Sequence, residues 1–291
     1  MLRLVLPKGS LEKATLDLFD GADLAVQRAS DVDYRGSIDD PRVSEVRILR
    51  PQEIAGYVAE GMFDLGVTGR DWIDETGADV VSLGELHYSK ATARPIKVVL
   101  AVAADSPVQA AGDLPAGSRV STEYPGLTGR YLAKHGVEAQ ILLSYGATEA
   151  KIPEIADAVV EITETGRALK AAGLRIVDTI LVSYTELIAN PLAFGDPVKR
   201  HAMEQLHTLL QGTLEARGRV LVKLNVGGDD LDSVIAMLPS LKSPTVSKLF
   251  GESGFAVETV VPKSQINRLI PALKDHGATG IIELPISKIV H

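Results

Sequence analysis

The chain has 291 residues, 45% of them apolar, with a net charge of −8 and a pI near 5.3. That length allows about two or three domains, the apolar share supports a substantial core, and the acidic balance argues against a nucleic-acid partner, which would call for a basic face. With no cysteine, disulfides, thiolate catalysis and Cys-ligated zinc are excluded. Residues 1–20 lack the pattern of a signal peptide and no apolar run reaches about 18 residues, so a cytoplasmic protein without a membrane partner is expected.

The first predicted strand is Leu2 to Leu6. Pro7-Lys8-Gly9-Ser10 turns into a helix from Leu11, with Ser10 as a plausible N-cap. Residues 31–48 read as a charged, looped excursion ending in a strand from Glu45 to Leu49. Arg50-Pro51 opens a helix with Pro at its first position and Gly61 closes it. Phe63 to Gly69 is a strand, followed at once by a helix start at Arg70-Asp71-Trp72. Further strands are Lys97 to Ala103, Ser118 to Thr122 and Ile141 to Leu143. A helix from the Glu123 to Thr128 stretch to about His135 lies between the last two. Ala158-Val159-Val160 leads into a turn, and Arg167 to Ala172 is a helix that stops at Gly173. This alternation predicts mainly parallel sheets covered on both faces. Asp196 to Arg217 reads as one long helix. From Arg219 the order is strand, helix, strand, strand, helix, strand, the βαββαβ arrangement of a separate ferredoxin-like domain.

Three strand–glycine–helix joints place backbone N–H groups beyond the carboxyl end of a strand, where open α/β sheets bind ligands. They are Lys8-Gly9-Ser10, Thr68-Gly69-Arg70-Asp71 and Glu161 to Ala168. The third carries two carboxylates, two hydroxyls and a glycine. Carboxylates accept hydrogen bonds from ribose hydroxyls, and hydroxyls and free amides hold phosphate oxygens. The same stretch also reads as a simple joint with Thr165 as N-cap. Lys8 is equally a phosphate ligand or a surface lysine, because the full P-loop spacing is absent. Arg70 at a helix start is disfavoured by the dipole unless an anion binds there. Histidines 87, 135, 201, 207, 276 and 291 show no metal spacing and read as ordinary surface or helix residues. No GxSxG occurs, so hydrolase chemistry has little support.

Two motifs resemble the ATP phosphoribosyltransferase family: Arg50 to Ile54 with Gly61 to Asp71, and Asp157 to Leu169, which looks like its phosphoribosyl-diphosphate loop. Leu241 to Val246 resembles the regulatory domain of the long form. The agreement runs from Leu4 to about Ile286. The resemblance implies an α/β catalytic core of two domains hinged like a type II periplasmic binding protein. These would be residues 1–90 with 181–215, and residues 91–180; residues 216–291 would be a regulatory ferredoxin-like domain. It implies a pentosyltransferase performing the first step of histidine biosynthesis, in which adenine N1 of ATP attacks C1 of phosphoribosyl diphosphate and pyrophosphate leaves.

On that resemblance Glu161 and Glu164 would be catalytic, taking the ribose hydroxyls. Thr163, Thr165, Gly166, Arg167 and Ala168 would cradle the 5′-phosphate. Lys8, Gly9, Arg50, Gly69, Arg70 and Asp71 are candidates for ATP or pyrophosphate. Asn225, Leu241, Ser243 and Thr245 are candidates for histidine as feedback inhibitor. Mg²⁺ would be bridged mainly by substrate phosphates, without dedicated protein ligands. A homo-oligomer, dimer or hexamer, is expected. Segment 86–97 departs from the family pattern, Glu161 stands where many members carry Asp, and Asn225 stands where an acidic residue is expected. A non-catalytic sensor of the same fold, and a phosphoribosyltransferase for another base, are the competing readings.

Overall fold

Leu2, Leu4, Val5 and Leu6 are all buried, so β1 (Leu2–Pro7) belongs inside a sheet rather than at its edge. In this computed structural model, which describes residues 1–88, 95–239, 243–251 and 253–291, β1 lies between β4 (Val43–Leu49) and β5 (Leu65–Gly69), parallel to both. Leu241 and residues 89–94 of the departing segment lie outside the described residues.

Residues 1–207 form one compact unit and residues 208–291 a second. The first unit holds two sheets. One has the order β2-β3-β4-β1-β5-β12-β6, with β2 (Val26–Gln27), β3 (Arg35–Ile38), β6 (Val81–Leu86) and β12 (Thr185–Ala189). The other has the order β11-β7-β10-β8-β9, with β7 (Ile96–Ala103), β8 (Arg119–Thr122), β9 (Gln140–Leu143), β10 (Ala158–Thr163) and β11 (Leu174–Ser183).

The two sheets repeat one topology. Take β4-β1-β5-β12-β6 in the first and β9-β8-β10-β7-β11 in the second. In each, the first three strands are mutually parallel and the last two are antiparallel to their neighbours. The antiparallel strand next to the parallel trio, β12 or β7, is the one the chain enters on crossing from the other sheet. This is the two-domain, type II periplasmic-binding-protein-like core. The expectation of mainly parallel sheets is therefore corrected: each sheet is parallel only in its trio, because the strand that joins it by crossover enters in the opposite direction.

Other boundaries differ locally. β3 interrupts the excursion over 31–48. Strands β6, β11 and β12 were not anticipated. Gly84 breaks the pattern of β6 at a φ of +141°, and β11 slips register at Ile176/Asp178 and Thr179/Leu181. The five residues of β12 are all buried and include Glu186, so they show no alternation. Ser10 does not cap α1 (Glu12–Gly21): a 3₁₀ turn over Gly9–Leu11 intervenes and puts Leu11 at the cap.

Helix α2 (Pro51–Ala59) packs Ile54, Ala55 and Val58 with Val5, Phe63 and Ile188 on one face of the first sheet. The second sheet is covered on both faces. Val98, Leu100 and Val160 point to one cluster, which includes Leu127 and Leu132 of α4 (Pro125–Lys134). Val99, Ala101 and Val159 point to the other, with Leu169 of α5 (Arg167–Ala171). This alternation along β7 and β10 is the period of two expected of a strand.

The second unit carries β13 (Arg219–Gly227), α8 (Leu231–Met237), β14 (Thr245–Lys248), β15 (Gly254–Pro262), α9 (Ile266–Asp275) and β16 (Thr279–Pro285). Its antiparallel sheet has the order β14-β15-β13-β16, which is ferredoxin-like. The even-numbered residues of β13 from Val220 to Val226 are buried against Val234 of α8 and Leu269 and Leu273 of α9. Between the sheets and this domain come α6 (Pro191–Gly195), capped by Asn190, and α7 (Pro197–Ala216). No helix among the described residues is long and apolar enough to cross a membrane.

One ion network ties the first sheet to α7. Asp64, almost fully buried, accepts from Arg3 at 3.2 Å and from Lys199 at 2.9 Å. Burial pushes its carboxyl up, but the bonds from Arg3 and Lys199 outweigh burial and hold it below the ordinary value of 3.8. A carboxyl depressed on folding stabilises above its unfolded pKa, and that stability is lost as pH falls through the folded value. Asp64→Asn is expected to cost about 3 kcal/mol, the low end for breaking a buried pair, because both cations stay partly in water. Urea denaturation at pH 7 and at pH 3 checks this: a difference from the parent protein that fails to shrink in acid would count against it.

Candidate functional site

Strand β10 is longer than its apolar run, and this shapes the site. Its pairing with β8 ends at Val160↔Thr122, while pairing with β7 continues through Ile162↔Val98 and Thr163↔Lys97. Glu161 thus stands just past the end of the parallel pair, beside Glu123, the first residue beyond β8. Burial raises the Glu123 carboxyl pKa, and the charge of Glu161 raises it further. The turn proper is only Glu164 to Gly166. Gly166 sits at a φ of +73° as the N-cap of α5, so Thr165 is not the cap. The N–H of Gly166 donates to Thr163 Oγ1 at 2.7 Å, so the threonine closes the turn from the strand side. A Cβ on Gly166 would lie 3.1 Å from Ile176 Cδ1.

On the first sheet, β5 runs into α3 (Arg70–Thr76) with Gly69 as the N-cap in extended conformation. The Asp71 carboxylate folds back over Gly69. It accepts from Ser183 Oγ at 2.7 Å and from Tyr124 Oη at 2.8 Å. Burial raises the pKa of Asp71 despite these two donors. Burial, followed by the charge of Asp71, raises that of Tyr124. The Trp72 and Tyr124 rings lie 4.6 Å apart between centroids. His87 meets Tyr184 edge-on at 4.7 Å.

These elements enclose a cleft of about 410 Å³ lined from both sheets. Of the residues expected from sequence, Gly69 and Asp71 line it from the first sheet and Thr163 and Glu164 from the second. Glu161, Thr165, Gly166, Arg167 and Ala168 sit immediately beside that lining on β10, the turn and α5. Lys8 and Gly9 precede Ser10 and Leu11, which line the cleft; the Lys8 amine rests 3.8 Å from the centroid of the Tyr34 ring. Arg50 caps α2 next to the lining residues Pro51 and Gln52. Arg70 turns elsewhere: it pairs with Asp74 at 2.9 Å and Glu186 at 3.7 Å and lines a separate groove with Ser82 and Arg130.

Sequence reasoning missed Trp72, Glu123, Tyr124, Ser183 and Tyr184 as lining residues, and it read His87 as ordinary although His87 lines the cleft. The turn after Thr122 was a findable signal, being another strand-end joint. Ser183 and Tyr184 gave none, because β11 and β12 were unrecognised.

The cleft has an acidic edge, Glu123, Glu161 and Glu164, and an aromatic wall, Trp72 with Tyr124. An acidic edge suits hydroxyl groups and developing positive charge; an aromatic wall suits a planar base. Among the described residues no group of three or more His, Cys, Asp or Glu is arranged to hold a metal.

In the second unit a groove of about 510 Å³ is lined by Asn225, Gly227, Ser253, Gly254 and Thr279, among others. Asn225 pairs with Ala256 and Thr279 across the sheet. Ser243 and Thr245 are exposed at the edge strand β14 and do not line this groove.

A family model described as ATP phosphoribosyltransferase matches residues 50–212, and one described as HisG, C-terminal domain, matches residues 216–288. The ATP phosphoribosyltransferase of Pelotomaculum thermopropionicum is 48% identical over 291 residues, 99% of each chain. That of Desulforudis audaxviator is 47% identical, again over 99% of each. Among solved structures, the ATP phosphoribosyl transferase (HisG:HisZ) complex from Thermotoga maritima is similar with a TM-score of 0.63 at 26% identity, covering 74% of this chain and 98% of that one.

Proposed function

The chain belongs to the ATP phosphoribosyltransferase family, and on that premise we propose that the two-sheet cleft brings ATP and phosphoribosyl diphosphate together. The reaction is the first step of histidine biosynthesis: adenine N1 attacks C1 of phosphoribosyl diphosphate and pyrophosphate leaves. The observation that carries the reading is that Trp72 and Gly69 of one sheet and Thr163 and Glu164 of the other line the same cleft. We read the two sheets as the two catalytic domains and the ferredoxin-like unit as the regulatory one.

Catalysis in this reading is alignment plus electrostatics. Adenine N1 is already a nucleophile and pyrophosphate is a good leaving group. Holding the two in line can supply roughly 7–11 kcal/mol. The Thr163 hydroxyl accepts from Gly166 N–H, which leaves its own hydrogen to donate to a phosphate oxygen. Thr165, Arg167 and Ala168 complete the cradle for the 5′-phosphate. Glu161 and Glu164 take the ribose hydroxyls, and their charge favours a cationic sugar in the transition state. Lys8, Gly9 and Arg50, next to lining residues, remain the candidates for the diphosphate; Arg70 has its own partners and drops from this set, and Asp71 serves the structure rather than the phosphates.

Mg²⁺ fits this site. Burial and then the charge of Glu161 raise the Glu123 carboxyl at the cleft edge, and among the described residues no cation bonds to either carboxylate. Both would hold the ion's water shell, and the ion would supply charge neutralisation to the departing pyrophosphate. We further propose histidine as feedback inhibitor at the groove beside Asn225, and an oligomeric enzyme.

The test is a turnover assay with ATP, phosphoribosyl diphosphate and Mg²⁺, following absorbance of the N1-substituted adenine with and without histidine. Product is expected, and less of it when histidine is added. A flat trace would overturn the activity; an unchanged trace with histidine would overturn the regulation.

A further inference from the structure

Helix α3 belongs to the first sheet, yet its polar side chains serve the second. Asp71 joins three elements. It accepts from Ser183 Oγ, at the end of β11 where the chain crosses back to the first sheet, and its own N–H donates to the same hydroxyl at 3.0 Å. Its other oxygen accepts from Tyr124, on the loop between β8 and α4. One turn along, the Glu75 carboxylate takes the first free N–H groups of α4, Gly126 at 2.8 Å and Leu127 at 2.7 Å. Orphan donors at the start of a helix are normally satisfied from within the same segment; here the cap is contributed by a residue 51 positions away. Arg130 of α4 returns a bond to the Asp74 carbonyl. Gly126 makes the approach possible, because a Cβ there would lie 2.7 Å from the Glu75 carbonyl oxygen.

The residues next to this joint are cleft residues. Glu123 and Tyr124 precede α4, and Trp72 follows Asp71. A shift between α3 and α4 therefore displaces Trp72 of one half of the cleft relative to Glu123 and Tyr124 of the other. We propose that Asp71 and Glu75 are positioning residues that set the register between the two halves of the cleft, so that losing them slows turnover without loosening either substrate bound alone. The inference rests on the two-substrate reading above. Its physical basis is that a misplacement of about 1 Å between reacting groups can cost on the order of 10²-fold in rate, whereas a substrate bound alone has no second reactant to be aligned with.

Tyr124→Phe removes only the hydroxyl that Asp71 accepts. Glu75→Gln replaces one of the two accepting carboxylate oxygens with an NH2 group that can only donate, so one of the two N–H groups loses its acceptor. Trp72 is the single tryptophan, so its fluorescence reports on the joint directly. Each variant is expected to lose at least about tenfold in kcat, while the Kd of ATP alone and of phosphoribosyl diphosphate alone changes less than about twofold. Acrylamide quenching of Trp72 should rise in both. Turnover within about twofold of the parent in both variants, or losses matched by weakened binary binding, would overturn the proposal. If Tyr124→Phe does not fold, Glu75→Gln at its half-buried position decides alone. If the parent protein itself shows no turnover, the catalytic reading falls, and unchanged Trp72 quenching in the variants would still reject the joint.

Discussion

Replacing Glu161 with glutamine is expected to lower kcat by about 10²-fold, the usual cost of removing one charge aimed at a developing transition-state charge. The residue stands past the end of the parallel strand pair and beside Glu123. It is therefore held by the sheet, not by a mobile side chain reaching in from outside. Glutamine keeps the shape and one acceptor for a ribose hydroxyl, so the KM for phosphoribosyl diphosphate should move much less than kcat. A second consequence follows from charge. Burial and Glu161 together raise the Glu123 carboxyl. Removing the charge of Glu161 leaves burial as the main cause, so the pKa of Glu123 falls. The acid limb of the pH–rate profile should then move to lower pH. Steady-state kinetics across pH 5 to 8 measures both effects, and near-normal kcat with an unmoved limb would remove Glu161 from the site.

Gly166→Val should act through geometry instead. Gly166 occupies the left-handed region at a φ of +73°, where a β-branched residue is strained by about 1–3 kcal/mol. Its added Cβ would also press on Ile176 Cδ1 at 3.1 Å. The least costly relief is to rotate the turn, which breaks the bond from Gly166 N–H to Thr163 Oγ1. The hydroxyl and the amides proposed to cradle phosphate then lose their common direction. The KM for phosphoribosyl diphosphate is expected to rise by about 10²-fold or more while the KM for ATP stays close to its parent value, because the proposed ATP side lies away from this turn. Gly166→Ala, without the β-branch, should fall between the two. A rise shared equally by both substrates would mean that the turn holds up the whole cleft rather than one substrate.

The second prediction depends on a turn that the sequence located but did not delimit. Ala158 to Val160 was legible as a strand from its apolar run, and Gly166 as a turn residue. That the strand continues through Glu161, Ile162 and Thr163 was not legible, because those residues pair on one side only. Half-paired positions carry no alternation strong enough to separate strand from turn. The same limit hid β11, with its two register slips, and the uniformly buried β12. Arg70 shows a different failure. Its place at a helix start suggested an anion, and the structure provides anions in the protein itself, Asp74 and Glu186.

The chain's local chemistry was enough to indicate a strand–turn–helix joint within Glu161–Leu169, a βαββαβ domain after Arg219 and the family through the Arg50–Asp71 motif. Each of these is written in neighbouring residues, where strand period, turn glycines and helix starts leave a direct mark. What only the tertiary structure decided is which side chains share a cleft. Trp72, Tyr124 and Ser183 are separated by more than 50 positions from one another, and Asp71 binds two of them at once. That meeting comes from strand exchange between two sheets that share a five-strand topology, the first being completed by β12 only when the chain returns from the second at Ser183-Tyr184-Thr185. Strand exchange is a matter of which backbone pairs with which, and pairing between distant segments leaves no period in the sequence to be read.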